Sequence, residues 1–220
     1  MKVYHFLNKK YGIESLQNQR IKVSVLDDLN DPFELLSNDF SDNKMRPIFN
    51  QLKTRLSDRI VMVCFSHSWK NPLLWSLYSD RHKGIALEFD VNEEEIIQVS
   101  YQKNRIKIPS DIKNQDLIDG LELKMISTKY VDWKFEDESR LFLDKSDLVK
   151  ENGYYFYNFN NDFFPTSIIA GPLCKIEEKE IIDVLPMNKK IKFIRSRLAF
   201  RSFSVVKNKR YHTIELKKNV

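Results

Sequence analysis

Residues 60–90 read IVMVCFSHSWKNPLLWSLYSDRHKGIALEFD, and the punctuation of this stretch sets the architecture. Ile60–Ser66 is a nearly continuous apolar run, the pattern of a strand buried on both faces. Asn71-Pro72 opens a helix expected to run through His82, because proline is preorganised for a first helical position. Gly84 supplies the stop, and Gly84–Asp90 continues as a strand with Ile85, Leu87 and Phe89 on one face. Working outward, Val3–Leu7 and the strictly alternating Ile21–Val25 read as strands, Tyr11–Asn18 and Met45–Leu56 as helices. Beyond it, Ile96–Tyr101, Phe135–Leu143 and Tyr154–Phe159 read as strands, with a turn at Asn152–Gly153. Gln115–Ser127 is amphipathic, with Leu117, Ile118, Leu121, Met125 and Ile126 at helical spacing, and Glu177–Leu185 is a further helix. Lys192–Ile194, Ser202–Val206 and His212–Leu216 read as closing strands. The expectation is one α+β domain, with a mixed or antiparallel central sheet and flanking helices.

The 220 residues are enough to bury a full core, and 24 Phe and Tyr argue against disorder. Five glycines include no G-x-G-x-x-G and no Walker A pattern, so any nucleotide must be held by side chains. The net charge of +5 conceals a division. Residues 1–186 carry 25 Lys and Arg against 30 Asp and Glu, a balance of −5; residues 187–220 carry 11 against 1, a balance of +10. The sequence therefore predicts an acidic α+β body over 1–186 that carries the site. Basic strands over 187–220 would pack on the same domain, with a seam at Pro186–Lys190. The first residues lack the apolar core of a signal peptide, and no apolar run approaches 18 residues. Cys64 and Cys174 sit in apolar surroundings that suit reduced thiols, so the expected location is cytoplasmic, with no membrane partner.

Four segments carry chemistry. On a strand, Glu136, Glu138 and Arg140 share one face at about 7 Å intervals. An arginine there keeps a carboxylate ionised, whereas two adjacent carboxylates push one pKa up; the same charges also read as a solvated face laced by an ion pair. Trp75, Tyr78 and His82 fall on one helix face, which suits a planar or sugar ligand and equally suits core packing. In Asn30-Asp31-Pro32-Phe33-Glu34, Asp31 is an expected helix N-cap, with Glu34 completing a capping box. Asn30 would then be held rigidly towards a ligand. His5, beside Tyr4 on the first strand, is a candidate hydrogen-bonding anchor. No metal-ligand set is expected, because Cys64-x-x-His67 lacks a second pair.

In the basic segment, Phe193, Phe200, Phe203 and Tyr211 interleave with Arg195, Arg197 and Arg201. Facing outward, those arginines form a stripe for the phosphates of nucleic acid or a nucleotide; otherwise they are solvated charge balancing an acidic body.

In their order, several of these segments resemble an uncharacterised bacterial family that includes a component of AbiG-type abortive-infection (phage-defence) systems. The matching pieces are Asn30-Asp31-Pro32-Phe33-Glu34, Cys64-Phe65-Ser66, Asn71–Tyr78, His82–Phe89, Trp133–Leu141 and Ile168-Ile169-Ala170-Gly171. Ser139 stands where that family tends to an aromatic. A looser resemblance is to the ADP-ribosyltransferase fold, with Tyr4-His5 early and Glu138 late, but no clear match for its Tyr or Ser element. That resemblance implies NAD as substrate, with Glu138 holding a ribose hydroxyl and stabilising an oxocarbenium-like ribose. The leading expectation is a phage-defence enzyme of that kind, with Glu138 as key carboxylate and Arg140 and Glu136 orienting it. His5, Asn30, Asp31, Trp75, Tyr78 and His82 would build its pocket. The alternatives are a non-catalytic nucleic-acid-binding or antitoxin-like partner protein using the basic segment, and a nuclease holding Mg²⁺ on Glu136, Asp137 and Glu138, against which Asp137 faces the other side of the strand.

Overall fold

The structure is a computed structural model that describes residues 1–39, 41–43, 45–107 and 115–218, with the backbone alone over 115–119. It begins with strand β1 (Lys2–Leu7), helix α1 (Lys9–Gln17) and strands β2 (Arg20–Lys22) and β3 (Ser24–Val25). Helix α2 (Arg46–Arg59) runs straight into β4 (Ile60–Ser66), followed by α3 (Pro72–Tyr78) and β5 (Ile85–Asp90). Next come β6 (Ile97–Gln98), β7 (Ser100–Gln102), α4 (Gln115–Ile126), β8 (Thr128–Tyr130) and β9 (Glu138–Asp144). Strands β10 (Val149–Glu151), β11 (Tyr154–Asn158) and β12 (Ser167–Ala170), helix α5 (Glu178–Val184), and β13 (Lys190–Leu198), β14 (Val205–Lys207) and β15 (Ile214–Lys217) complete it. The class is α+β, as the sequence pattern predicts. The expected inward side chains of Leu117 and Ile118 lie outside the described residues.

The chain forms two compact units. One comprises Met1–Lys22, Phe65–Glu95 and Phe156–Val220, the other Val23–Cys64 and Ile96–Tyr155. The basic strands of 190–217 thus belong to the first unit, together with the amino terminus.

In the first unit the strand order is β14-β13-β12-β5-β1, with β15 also on β13. β1 lies antiparallel to β5 from Lys2↔Asp90 to Leu7↔Ile85, and β12 is antiparallel to β5. β12 and β13 are parallel, which requires a crossover, and α5 supplies it. The sheet is therefore mixed. β5 is covered on both faces, so Ala86 and Glu88 are buried along with Ile85, Leu87 and Phe89. Phe89 stacks on Phe163 at 4.6 Å, and Phe65 meets both rings edge-on.

Helix α3 stops at Tyr78, short of the expected His82. The buried Ser79 hydroxyl lies 3.0 Å from the Leu7 carbonyl oxygen and 3.2 Å from that of Ile85, tying the helix end to β1 and β5. Asp80, Arg81 and His82 then adopt left-handed φ of 43°, 51° and 71°, and the His82 N–H donates to the Trp75 carbonyl at 3.0 Å. Gly84 serves close approach: a Cβ there would overlap the Leu7 carbonyl oxygen.

In the second unit, Phe49, Leu52 and Leu56 of α2 pack with Leu26, Leu35, Met62, Leu121, Met125 and Ile126. The strand order here is β3-β4-β9-β6, with Ser24↔Met62 and Ile97↔Arg140 in register. β7 and β8 form a parallel pair with α4 between them in sequence. Asn152-Gly153, both left-handed, turn β10 into β11, the favoured geometry for a two-residue hairpin.

Gly84→Ala is expected to lower the unfolding free energy in urea by about 2 kcal/mol, since the methyl would meet the Leu7 and Asn8 backbone and the Ser79 hydroxyl that ties down the end of α3. Gly120→Ala, where an added methyl meets nothing within 4 Å on the helix, should instead raise it by up to about 1 kcal/mol.

Candidate functional site

The chemically densest place among the described residues is a buried network in the second unit. The expected strand Phe135–Leu143 begins only at Glu138: Val131–Glu136 is a 3₁₀ helix, and Asp137 turns left-handed at φ 46°. Glu136 is therefore not on the strand face that period two assigns to it. Glu138 and Arg140 are on one face, and the Arg140 Nε donates to Glu138 Oε1 at 2.8 Å. Arg140, wholly buried, also donates through Nη1 and Nη2 to the two oxygens of Glu34 at 3.1 and 2.5 Å, and through Nη1 to the Ile126 carbonyl at 2.5 Å. Lys129, from β8, donates to Glu136 at 2.6 Å and Glu138 at 2.9 Å, with Glu34 at 3.7 Å. Three carboxylates surround two cations, leaving the network one negative charge. The Glu138 N–H donates to the Tyr101 hydroxyl at 2.9 Å.

Burial by itself raises the pKa of Glu138, but the charges of Arg140 and Lys129 outweigh it and bring the carboxyl down to about 2. Burial likewise pulls Lys129 and Arg140 down, and the glutamates overcome it, so both stay firmly protonated. Burial and the Glu138 charge push the Tyr101 phenol up to about 12. Burial first, and Glu138 second, push the Cys64 thiol well above its ordinary value, so it is no thiolate. Both Glu138 oxygens accept from cations, and the residue is almost wholly enclosed. Such a carboxylate is a fixed structural charge.

The loop before the network departs from the capping expectation. Residues 32–35 form a turn rather than a helix: Asp31 Oδ1 accepts from the Phe33 N–H at 2.9 Å, and Leu35 is left-handed at φ 61°. The physical reason is that Arg140 claims Glu34, removing it from any capping box. Asp31 is buried, with Oδ2 lacking a hydrogen bond among the described residues, while Asn30 is exposed.

His5, Trp75, Tyr78 and His82 belong to the first unit. Trp75 is fully buried and its Nε1 donates to the Trp69 carbonyl at 2.6 Å, so it is core and not a stacking wall. Tyr78 lines a broad hollow of about 900 Å³ with Leu77 and Asp80. The left-handed His82 leaves the face expected for it; burial lowers its pKa, and its Nδ1 has no hydrogen bond among the described residues. His5 sits half-buried in β1, with its ring edge-on to Phe65 at 6.1 Å. In this unit Glu88 accepts from Lys2 at 2.5 Å and from Thr166 and Ser167 at 3.0 Å.

The basic segment also lies in the first unit. Arg195 is held by the Ile176 carbonyl at 3.2 Å and has Tyr211 5.5 Å from its guanidinium carbon. Arg197 covers Phe200 at 4.3 Å. The expected strand Ser202–Val206 begins at Val205, because residues 199–204 turn the hairpin, closed by the Ala199 N–H to the Ser204 carbonyl at 2.9 Å. Phe200 and Phe203 are 87% and 101% exposed at its tip, and Arg201 is exposed between them. Among the described residues no three His, Cys, Asp or Glu side chains are placed to hold a metal ion, and no helix is long and apolar enough to cross a membrane. Sequence reasoning missed Lys129 and the pairing role of Glu34.

Glu138→Gln is expected to lower the unfolding free energy by about 3–5 kcal/mol in urea, because it takes the shared ionic acceptor from buried Arg140 and Lys129 and sets an amide NH₂ against one of them. The folded pKa of Glu138 lies below its unfolded value, so its charge stabilises the fold fully above pH 4.5. That contribution is lost as pH falls through the folded pKa of about 2. Acid titration of stability should show this decline in the wild type and a shallower slope in Glu138→Gln. No family model, curated protein or solved structure matches this chain.

Proposed function

We propose that this chain is a single-stranded nucleic-acid-binding protein of the bacterial cytoplasm, working in phage defence, with the β13–β14 hairpin as its grip. The observation that carries the reading is the hairpin tip, where Phe200 and Phe203 lie open to solvent with Arg201 between them and Arg197 against Phe200. Two such rings on one hairpin tip make an apolar patch rimmed by polar groups, the kind that marks an interaction site. Bases stack on aromatic rings irrespective of sequence, while arginines meet the phosphates. On β13, which leads to the tip, the Arg195 guanidinium lies 5.5 Å from the Tyr211 ring centre and 3.8 Å from the Glu178 carboxylate, a second cation and ring on the same strand. The balance of +10 over 187–220 supports an anionic partner, and the resemblance to the abortive-infection family supports the setting. An NAD-cleaving role for Glu138 draws no support from a carboxylate whose two oxygens are already held by cations.

Fluorescence anisotropy with a labelled oligo-dT or oligo-U strand tests it. Binding should weaken with salt at a logarithmic slope of about −2, from three phosphates at ~0.7 each. The double variant Phe200→Ala/Phe203→Ala should weaken binding by about tenfold or more while leaving the melting temperature unchanged. Absence of binding, or an unaffected double variant, refutes the reading. So does retention on anionic phospholipid vesicles with none on the oligonucleotides.

A further inference from the structure

The second unit holds a cleft of about 310 Å³ that has no part in the hairpin function. Its walls include Phe33 and Ser37 from the turn after Asp31, Lys103 and Arg105 after β7, and Lys129 and Tyr130 of β8. Two backbone hydrogen bonds fix one wall to the other: the Ile106 N–H donates to the Ser37 carbonyl at 2.8 Å, and the Asp39 N–H to the Ile106 carbonyl at 2.9 Å. The volume is at the small end for ligand sites, the size of one mononucleotide and too small for a dinucleotide.

Two features define what fits. First, the Phe33 and Tyr130 rings are about half exposed, leaving aromatic surface uncovered, and the Arg105 guanidinium lies 5.5 Å from the Phe33 ring centre. Second, among the described residues no carboxylate lines the cleft, while Lys103 and Arg105 do; nearby, the Asp39 carboxylate feels the charges of Lys107 and Arg105. Lys129 adds little to this field, since its ammonium is held by Glu136 and Glu138.

We infer that this cleft binds an aromatic anion of the nucleoside 5′-monophosphate class. The base packs on Phe33 and Tyr130, and Lys103 and Arg105 meet the phosphate. The inference is independent of the hairpin reading, and the two fail separately.

Isothermal titration of the full chain with the four common 5′-mononucleotides, with adenosine and with inorganic phosphate is the test. At least one mononucleotide should bind saturably, with its nucleoside and phosphate each weaker by about tenfold or more, because the ring and the anion are recognised together. Arg105→Ala, Phe33→Ala and the charge reversal Lys103→Glu, all at exposed positions, should each weaken it by about tenfold at unchanged melting temperature. Phe200→Ala/Phe203→Ala should not change it. No saturable binding by any mononucleotide, phosphate binding as tightly as the best of them, or full affinity in Arg105→Ala and Phe33→Ala overturns the inference.

Discussion

A guanidinium without exposed surface is the constraint around which the second unit is arranged. Arg140 cannot shed its proton to suit the interior, so anions must be brought to it. They come from distant places: Glu138 from two positions earlier in β9, Glu34 from 106 positions upstream, and a carbonyl from the last residue of α4. Glu138 in turn draws in Lys129, and Lys129 draws in Glu136. One buried cation thereby fixes the turn after Asp31, the end of α4, strand β8 and the start of β9. Buried networks of this kind contribute little net stability beside an apolar core, but breaking one member strands the others. Their value lies in the geometry they impose.

Much of the architecture was legible because it rests on short-range rules. The alternation of Ile85, Leu87 and Phe89, the Asn71-Pro72 start and the Asn152-Gly153 turn all follow from local periodicity and backbone preference. Period two also put Glu138 and Arg140 together correctly. What failed did so where a long-range charge overruled a local preference. A capping interaction at Asp31–Glu34 is worth about 1 kcal/mol, which cannot compete with neutralising a dehydrated arginine. Lys129 gave no signal at all, because a lysine between Thr128 and Tyr130 reads as the solvent side of a strand. The hairpin tip misled in another way: Ser202–Val206 reads as one strand, and only the closure at Ala199–Ser204 shows that Phe203 lies in the turn. The end of α3 was hidden because nothing in Asp80-Arg81-His82 advertises left-handed backbone.

The chain passes between its two units at residues 22/23, 64/65, 95/96 and 155/156. Each unit is therefore assembled from separated stretches. Neither corresponds to a contiguous fragment, so a charge boundary drawn at residue 186 separates composition and not structure. The aromatic hairpin and the buried network with its neighbouring cleft nonetheless fall in different units, which gives the two proposed ligands chemically distinct homes.

The scarcity of glycine has a consequence for evolvability. Among the described residues, Gln19, Leu35, Asp80, Arg81, His82, Asp137 and Asn152 take positive φ, against Gly153 alone among the glycines. Gly12, Gly84 and Gly171 instead stand where a methyl group would collide with a neighbour. Glycine in this molecule serves nearness, and torsion is left to residues that bear it at a cost. Several turns thus retain relaxations within reach of a single substitution, while the close-packed glycines are the positions least free to drift.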